Sequence, residues 1–393
     1  MNPHIRLLIL VSLILTSACA NTAPTPAPTP TPTPTPANLR TWTEEPVSFL
    51  FGSDTLRGLL TLPGREGPHP AIVLVSGSVN TDTGVRSGAS SSYFTDHART
   101  IARRGFAVLR YDPPGVGQST GQAGFESLDQ RREEAIAALH YLQARPDIRS
   151  DRVGLWGNSQ GGWVIAMAAA AYPQDVAFFV SLSGSGVSVA EQQVYSIEAQ
   201  SRAAGMSDQD IAKATLFGRL LIDWQLTEPV QRQANEAAVL ALGDGAWADF
   251  ARLVYEPGEI SPAQGLQRGL DIFKSVQDEP WARFLYLKEL YIPQLESVPP
   301  EQVAALRAMT GQSLLNDPQQ YFTRVRCPVL AVFGEDDLLQ PTAKSAALYA
   351  QYLTAAGNED FEIVVIPGAG HNIYLANAGY SVALFDWLER MYR

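Results

Sequence analysis

One short stretch limits what this chain can fold into: Gly157-Asn158-Ser159-Gln160-Gly161, set between two apolar runs of different kind. Before it, Arg152-Val153-Gly154-Leu155-Trp156 reads as a buried strand. After it, Gly162-Trp163-Val164-Ile165-Ala166-Met167 running into Ala168–Ala171 reads as a buried helix. Strand, tight turn, helix is the context that makes G-x-S-x-G a nucleophile elbow. Such a turn forces the serine backbone into a strained region, and the flanking glycines let strand and helix approach without Cβ clashes. The serine oxygen then sits at the end of the sheet, above a helix N-terminus with free N–H groups.

The rest of the chain supplies a matching scaffold. Val47 to Leu62 reads as two strands joined at Gly52-Ser53-Asp54. Ala71–Val75 and Phe106–Tyr111 are continuous apolar runs, as expected of strands buried on both faces of a parallel sheet. Further strands fall at Val176–Ser183, Val329–Gly334 and Phe361–Ile366, with helices at Tyr93–Arg104, Leu128–Ala144, Thr342–Ala355 and Ala378–Tyr392. Within Leu128–Ala144 the pattern turns Ile136, Leu139 and Leu142 inward, and Arg131, Glu133 and Glu134 outward. Strands alternating with helices imply right-handed crossovers and a doubly wound, mostly parallel α/β sheet of about eight strands. The stretch 189–326 breaks that rhythm. It is helical in composition and too long for a connection in a compact domain. It reads as a helical cap inserted between the sixth and seventh strands, and its aromatic residues suggest either an apolar acyl or aryl pocket or packing inside the cap itself.

A serine hydroxyl needs a base within hydrogen-bond reach. The chain has five histidines. His4, His69, His97 and His140 precede the serine, and only His371 follows it, in the Pro367–Asn372 loop after the last strand. The base in turn needs a carboxylate to fix its tautomer, and the loop after the Val329 strand offers Glu335, Asp336 and Asp337. An oxyanion needs two preorganised donors. One is the backbone N–H of Gln160. The other belongs to the Ser76-Gly77-Ser78 loop, at Ser78 or Gly77.

The N-terminus stands apart from the fold. Arg6 precedes an apolar run, Leu7–Leu15, and then Thr16-Ser17-Ala18-Cys19. Residues 1–18 read as a signal peptide too short to span a bilayer, resembling a bacterial lipoprotein signal that ends in a lipidated Cys19. Residues 19–40 form a linker in which proline fills every second position from Pro24 to Pro36. As polyproline II it reaches ~40 Å. The expected location is the outer face of the cytoplasmic membrane, held by the lipid on Cys19, or otherwise the exterior as a secreted protein. Cys327, the second of two cysteines, reads as a small buried hydrophobe. A formal charge of −11 argues against nucleic acid or anionic lipid as partner. No metal-ligand cluster or phosphate-cradling loop is apparent, so no cofactor is expected.

From Pro46 onward the chain resembles the α/β-hydrolase family, and within it cap-bearing bacterial carboxylesterases. The resemblance rests on Leu109-Arg110-Tyr111-Asp112 with Gly115-Val116-Gly117-Gln118-Ser119, on Gly157–Gly162, on Pro280-Trp281 with Phe284-Leu285, and on Cys327–Leu330 running into Gly334–Asp337. It implies an eight-stranded α/β-hydrolase sheet, with residues 41–188 and 327–393 as core and 189–326 as cap. It also implies a catalytic triad. Gly334, Asp337 and Pro341 match the family's glycine–aspartate–proline spacing, which assigns the acid to Asp337. Ser159 and His371 match the other two positions. The implied activity is hydrolysis of short to medium acyl or aryl esters. The alternatives are peptidase or acyltransferase chemistry, or a surface lipoprotein that binds a ligand in an inactive pocket. Pro114, Asn158 and Val79 depart from the family pattern.

Overall fold

The computed structural model describes residues 42–78, 86–123, 127–303 and 311–392. The signal segment, Cys19, the proline run and Val79 lie outside these residues. Eight strands form one sheet: β1 (Trp42–Phe51), β2 (Asp54–Pro63), β3 (His69–Val75), β4 (Ala107–Tyr111), β5 (Ile148–Asn158), β6 (Phe179–Leu182), β7 (Val329–Gly334) and β8 (Phe361–Ile366). Their order is β1-β2-β4-β3-β5-β6-β7-β8. β1 and β2 form an antiparallel hairpin, β2 pairs antiparallel with β4, and all later pairings are parallel. β6 is shorter than the Val176–Ser183 run suggested, because Ala177 and Phe178 already bond to β5 as an irregular lead-in.

The continuous apolar strands are sandwiched as their composition requires. Along β3, Ala71, Val73 and Val75 join the core on one face, and Ile72 and Leu74 join the core on the other. That is the period-two alternation of a strand with no wet side. The first face packs on α2 (Leu128–Gln143), α3 (Gln160–Ala171) and the helix Thr342–Ala355. The second packs on α1 (Ser92–Ala102) and the helix Ala378–Tyr392. Ser127 starts α2 with a capping box closed by Gln130.

Two side chains of α2 correct the sequence expectation. Arg131 and Glu134 do not face solvent: they are 2% and 0% exposed. Glu134 makes a two-pronged ion pair with Arg86, at 3.0 and 2.6 Å. Arg131 donates to the backbone carbonyls of Ser76 and Gly77 and to the side-chain oxygen of Gln160. A buried charge survives only when paired or fully hydrogen-bonded. The partners here come from the β3 end and the elbow, so spacing along α2 alone could not reveal them.

Between β6 and β7 lies a helical insertion that begins with α4 (Val189–Ala203), α5 (Asp208–Gln225), α6 (Arg232–Leu242), α7 (Ala246–Tyr255) and α8 (Pro262–Val276). It has its own core, in which Phe217, Phe250 and Phe273 pack ring on ring at 4.8 to 5.9 Å. Trp224 stacks edge-on against Phe273, and Trp247 against Trp281. Most of these aromatic residues thus take the second of the two roles open to them and hold the insertion together. The insertion also grips the sheet domain, because Ile222 of α5 and Leu226, just past its end, belong to the core of the first sheet face. Cys327 is a free thiol, and burial pushes it up to about 12, so it stays protonated as a small apolar group.

A buried histidine gives the fold an acid-sensitive point. His97 on α1 is 1% exposed, with Nδ1 at 2.8 Å from the Tyr93 carbonyl and Nε2 at 3.1 Å from the Tyr380 hydroxyl. The indole of Trp156 donates to the same hydroxyl. The neutral ring with its proton on Nδ1 therefore satisfies every group, and burial lowers its pKa from 6.5 to about 4. Because the folded pKa is depressed, the unfolded chain takes up the proton first. This contribution is intact above pH ~6.5 and is lost as pH falls through ~4, amounting to about 3 kcal/mol. Thermal unfolding of the wild type and His97→Gln across this range tests it. The melting temperature of the variant should fall less steeply with acid, and parallel curves would show that His97 does not carry the effect.

Candidate active site

Ser159 is the hinge between β5 and α3. Its φ of 53° and ψ of −124° lie outside the regions open to ordinary L-residues, at a cost of order 1–3 kcal/mol. The backbone around it shows why the chain accepts this. A Cβ on Gly157 would stand 2.5 Å from the Gly161 carbonyl oxygen, and one on Gly161 would stand 2.7 Å from that of Val75. Any side chain at either position would push α3 off the sheet. Ser159 N–H donates to Leu182 O at 2.8 Å, and Gly162 N–H donates to Ser159 O at 2.8 Å, so the turn is fixed on both sides. The residue is 1% exposed.

His371 stands in the loop after β8, and that loop is packed against the one after β7. Glu335 N–H donates to Ile366 O and Asp336 N–H to Ala369 O, at 3.0 and 2.9 Å. A Cβ on Gly334 would meet the Gly370 oxygen at 2.3 Å. This approach brings Asp337 Oδ2 to 2.8 Å from His371 Nδ1, with both side chains buried. Asp337 Oδ1 accepts from the backbone N–H groups of Leu339 and Gln340 at 2.7 and 2.9 Å, which locks the carboxylate. Glu335 and Asp336 are exposed, and Glu335 accepts from Gly368 N–H. The geometry therefore selects Asp337 from the three acids that the sequence offered.

Ser159 Oγ and His371 Nε2 are buried with no hydrogen-bond partner, as are Asn158 Oδ1 and both side-chain polar atoms of Gln340 nearby. An unpartnered buried polar atom calls for an explanation, and a catalytic role is one. With Nδ1–H given to Asp337, Nε2 carries the lone pair of a neutral ring, which is the form that accepts a hydroxyl proton. The other described histidines are occupied elsewhere. His97 is in the α1 core, His140 pairs with Asp175 on the surface, and His69 lies at the start of β3.

The Ser76-Gly77-Ser78 loop closes the site from the β3 side. A Cβ on Gly77 would lie 3.3 Å from Ser159 Cβ, so the loop rests directly on the serine. Gln160, the first residue of α3, has its N–H at the helix start. Two residues here escaped the sequence reading. Ser183, at the end of β6, shares the left-handed backbone of Ser159 with a φ of 51°, and its hydroxyl donates to the His371 carbonyl at 2.8 Å. Tyr195 on α4 donates its hydroxyl to the Asp337 carbonyl at 2.9 Å. Each is a long-range contact with no local motif to announce it. A cavity of about 360 Å³ opens inside the insertion, lined by Trp224, Leu226, Leu253 and Ile260 among others, and Ser159 does not line it. No group of three or more potential metal ligands occurs among the described residues.

Comparison with known proteins gives this geometry a family. A family model described as the alpha/beta hydrolase fold matches residues 70–378. An uncharacterized 31.7 kDa protein of the traX-finO intergenic region in Escherichia coli is 22% identical over 293 residues, 74% of this chain and 81% of that protein. Esterase EstD of Thermotoga maritima is 32% identical over 120 residues, 30% of this chain but only 28% of its own length. Among solved structures, the alpha/beta hydrolase GrgF from Penicillium superposes with a TM-score of 0.51 at 20% identity, covering 89% of this chain and 99% of its own.

Replacing Ser183 with alanine should release the His371 carbonyl while leaving the sheet intact. Amide exchange across residues 368–374 should quicken, and phosphonylation of Ser159 by a fluorophosphonate should slow on the order of ten-fold, from a loss of positioning. Unchanged exchange and labelling would show that the Ser183 hydroxyl does not hold the histidine loop.

Proposed function

This chain belongs to the α/β-hydrolase fold family, and on that footing we propose that it is a serine hydrolase of carboxylic esters, working through an acyl-enzyme on Ser159. The observation that carries the reading is the strained, buried Ser159 at the end of β5 together with, in the loop after β8, a histidine whose Nδ1 is held by a buried aspartate. In this mechanism His371 Nε2 takes the Ser159 proton as Oγ attacks the ester carbonyl. Asp337 stabilises the imidazolium without being protonated. The tetrahedral oxyanion is received by the N–H of Gln160 and by that of Ser78 or Gly77. His371 then returns the proton to the leaving alcohol, and water activated by the same ring cleaves the acyl-enzyme.

The insertion at 189–326 serves in this proposal as a cap. Its α4 already bonds to the acid loop through Tyr195 and through Gln192, whose amide donates to Leu339 O. Such contacts are the means by which an inserted element can shape access to a site without supplying a reacting group. The proposed partner is a small ester and neither nucleic acid nor cofactor. Export, with anchoring by a lipid on Cys19, rests on the N-terminal sequence alone. Peptidase and acyltransferase chemistry would use the same three side chains, and nothing in the geometry favours them.

Hydrolysis of 4-nitrophenyl acetate and butyrate tests the reading, with 4-nitroanilide and alcohol-acceptor arms for the two alternatives. Ser159→Ala should lose several orders of magnitude in kcat. Asp337→Asn should lose about 10³–10⁴-fold with its fold intact. Wild-type turnover in Ser159→Ala would end the proposal.

A further inference from the structure

The buried guanidinium of Arg131 has no part in the triad, yet all three of its described acceptors belong to the walls of the oxyanion site. It donates to the Ser76 and Gly77 carbonyls, the latter at 2.9 Å, and to the Gln160 side chain. It is 2% exposed, and the Arg86–Glu134 pair, with Arg86 also 3.5 Å from the Ser76 hydroxyl, packs the same end of β3.

Peptide planarity turns these contacts into a statement about aim. The one cis peptide among the described residues is Gly67-Pro68, so the planes joining residues 76, 77 and 78 are trans. In a trans peptide the C=O and N–H of one plane point in opposite directions. Holding the Gly77 carbonyl against Arg131 therefore aims the Ser78 N–H away from Arg131, and holding the Ser76 carbonyl does the same for the Gly77 N–H. These are the two candidates for the second oxyanion donor. The first donor, the N–H of Gln160, belongs to the residue whose side chain the same guanidinium grips. A cation on the carbonyl end of a peptide also polarises its N–H and strengthens it as a donor.

We propose that Arg131 is the positioning residue of the oxyanion site, a single fork that fixes the 76–78 loop and Gln160 relative to one another and aims their N–H groups. This rests on the ester-hydrolase reading above. Only a planar, multi-donor side chain can do it. Lysine keeps the charge but is a point donor that cannot reach three acceptors at once.

The test compares Arg131→Lys and Arg131→Met with the wild-type full-length chain on 4-nitrophenyl butyrate. It adds the affinities of a trifluoromethyl ketone, which forms an oxyanion on the serine, and of the matching methyl ketone, which does not. Both variants should lose ~10²-fold in kcat, with KM within a factor of about three. Trifluoromethyl ketone affinity should fall with kcat/KM, while methyl ketone affinity stays level. If neither arginine variant folds, Gln160→Ala, which deletes only the gripped amide, should lose about ten-fold in kcat with the same inhibitor split. A folded variant with wild-type kcat, or an equal loss of affinity for both ketones, overturns the proposal. A wild-type chain that neither turns over the ester nor takes a fluorophosphonate on Ser159 would instead defeat the ester-hydrolase reading.

Discussion

The left-handed backbone of Ser159 is the constraint on which the rest of this structure depends. It exists only because three pieces of main chain meet with no side chain between them: the end of β5, the start of α3 and the end of β3. Gly157 and Gly161 make that meeting sterically possible, and the hydrogen bonds from Ser159 N–H to β6 and from Gly162 N–H back to Ser159 hold it. The buried apolar strands on either side supply the stabilisation that outweighs a local strain of a few kcal/mol. Everything chemical follows from that corner, since it decides where the hydroxyl stands and which N–H groups surround it.

Around the corner, a set of buried polar contacts holds the loops of the site in place. Asp337 accepts two backbone N–H groups and fixes His371. Ser183 and Tyr195 anchor the carbonyls of His371 and Asp337. Arg131 binds the loop on the opposite side of the serine. Ser159 Oγ and His371 Nε2, the pair between which a proton must move in the proposed reaction, are both without a hydrogen-bond partner. A site whose loops are fixed by such contacts is preorganised in the sense that catalysis requires.

Much of this was legible before any coordinates. The β3, β4 and β7 runs announce a doubly covered parallel sheet, because only such strands can be apolar throughout. The elbow is legible because glycine spacing and the strand-to-helix switch coincide at Ser159. His371 follows from its place after the last strand. What stayed hidden lies in contacts between residues far apart in sequence. Arg131 and Glu134 looked like the wet face of an amphipathic helix, and that default fails because Glu134 pairs with an arginine 48 residues earlier. Ser183 sits in an ordinary-looking Ser-Gly-Ser-Gly turn. The aromatics of the insertion could equally line a pocket or pack inside it, and the structure puts Phe273 and Trp281 in its core with Trp247 packed against them, since a unit of that size must bury its own apolar surface before it can offer any to a ligand.

The central claim is that a covalent acyl group passes through one hydroxyl. Acid quenching during turnover of a butyrate ester, followed by peptide mapping, reads it most directly. The account predicts a butyryl group on Ser159 and on no other side chain. A Ser159 peptide that stays unmodified throughout turnover, or an acyl group carried elsewhere, would contradict it.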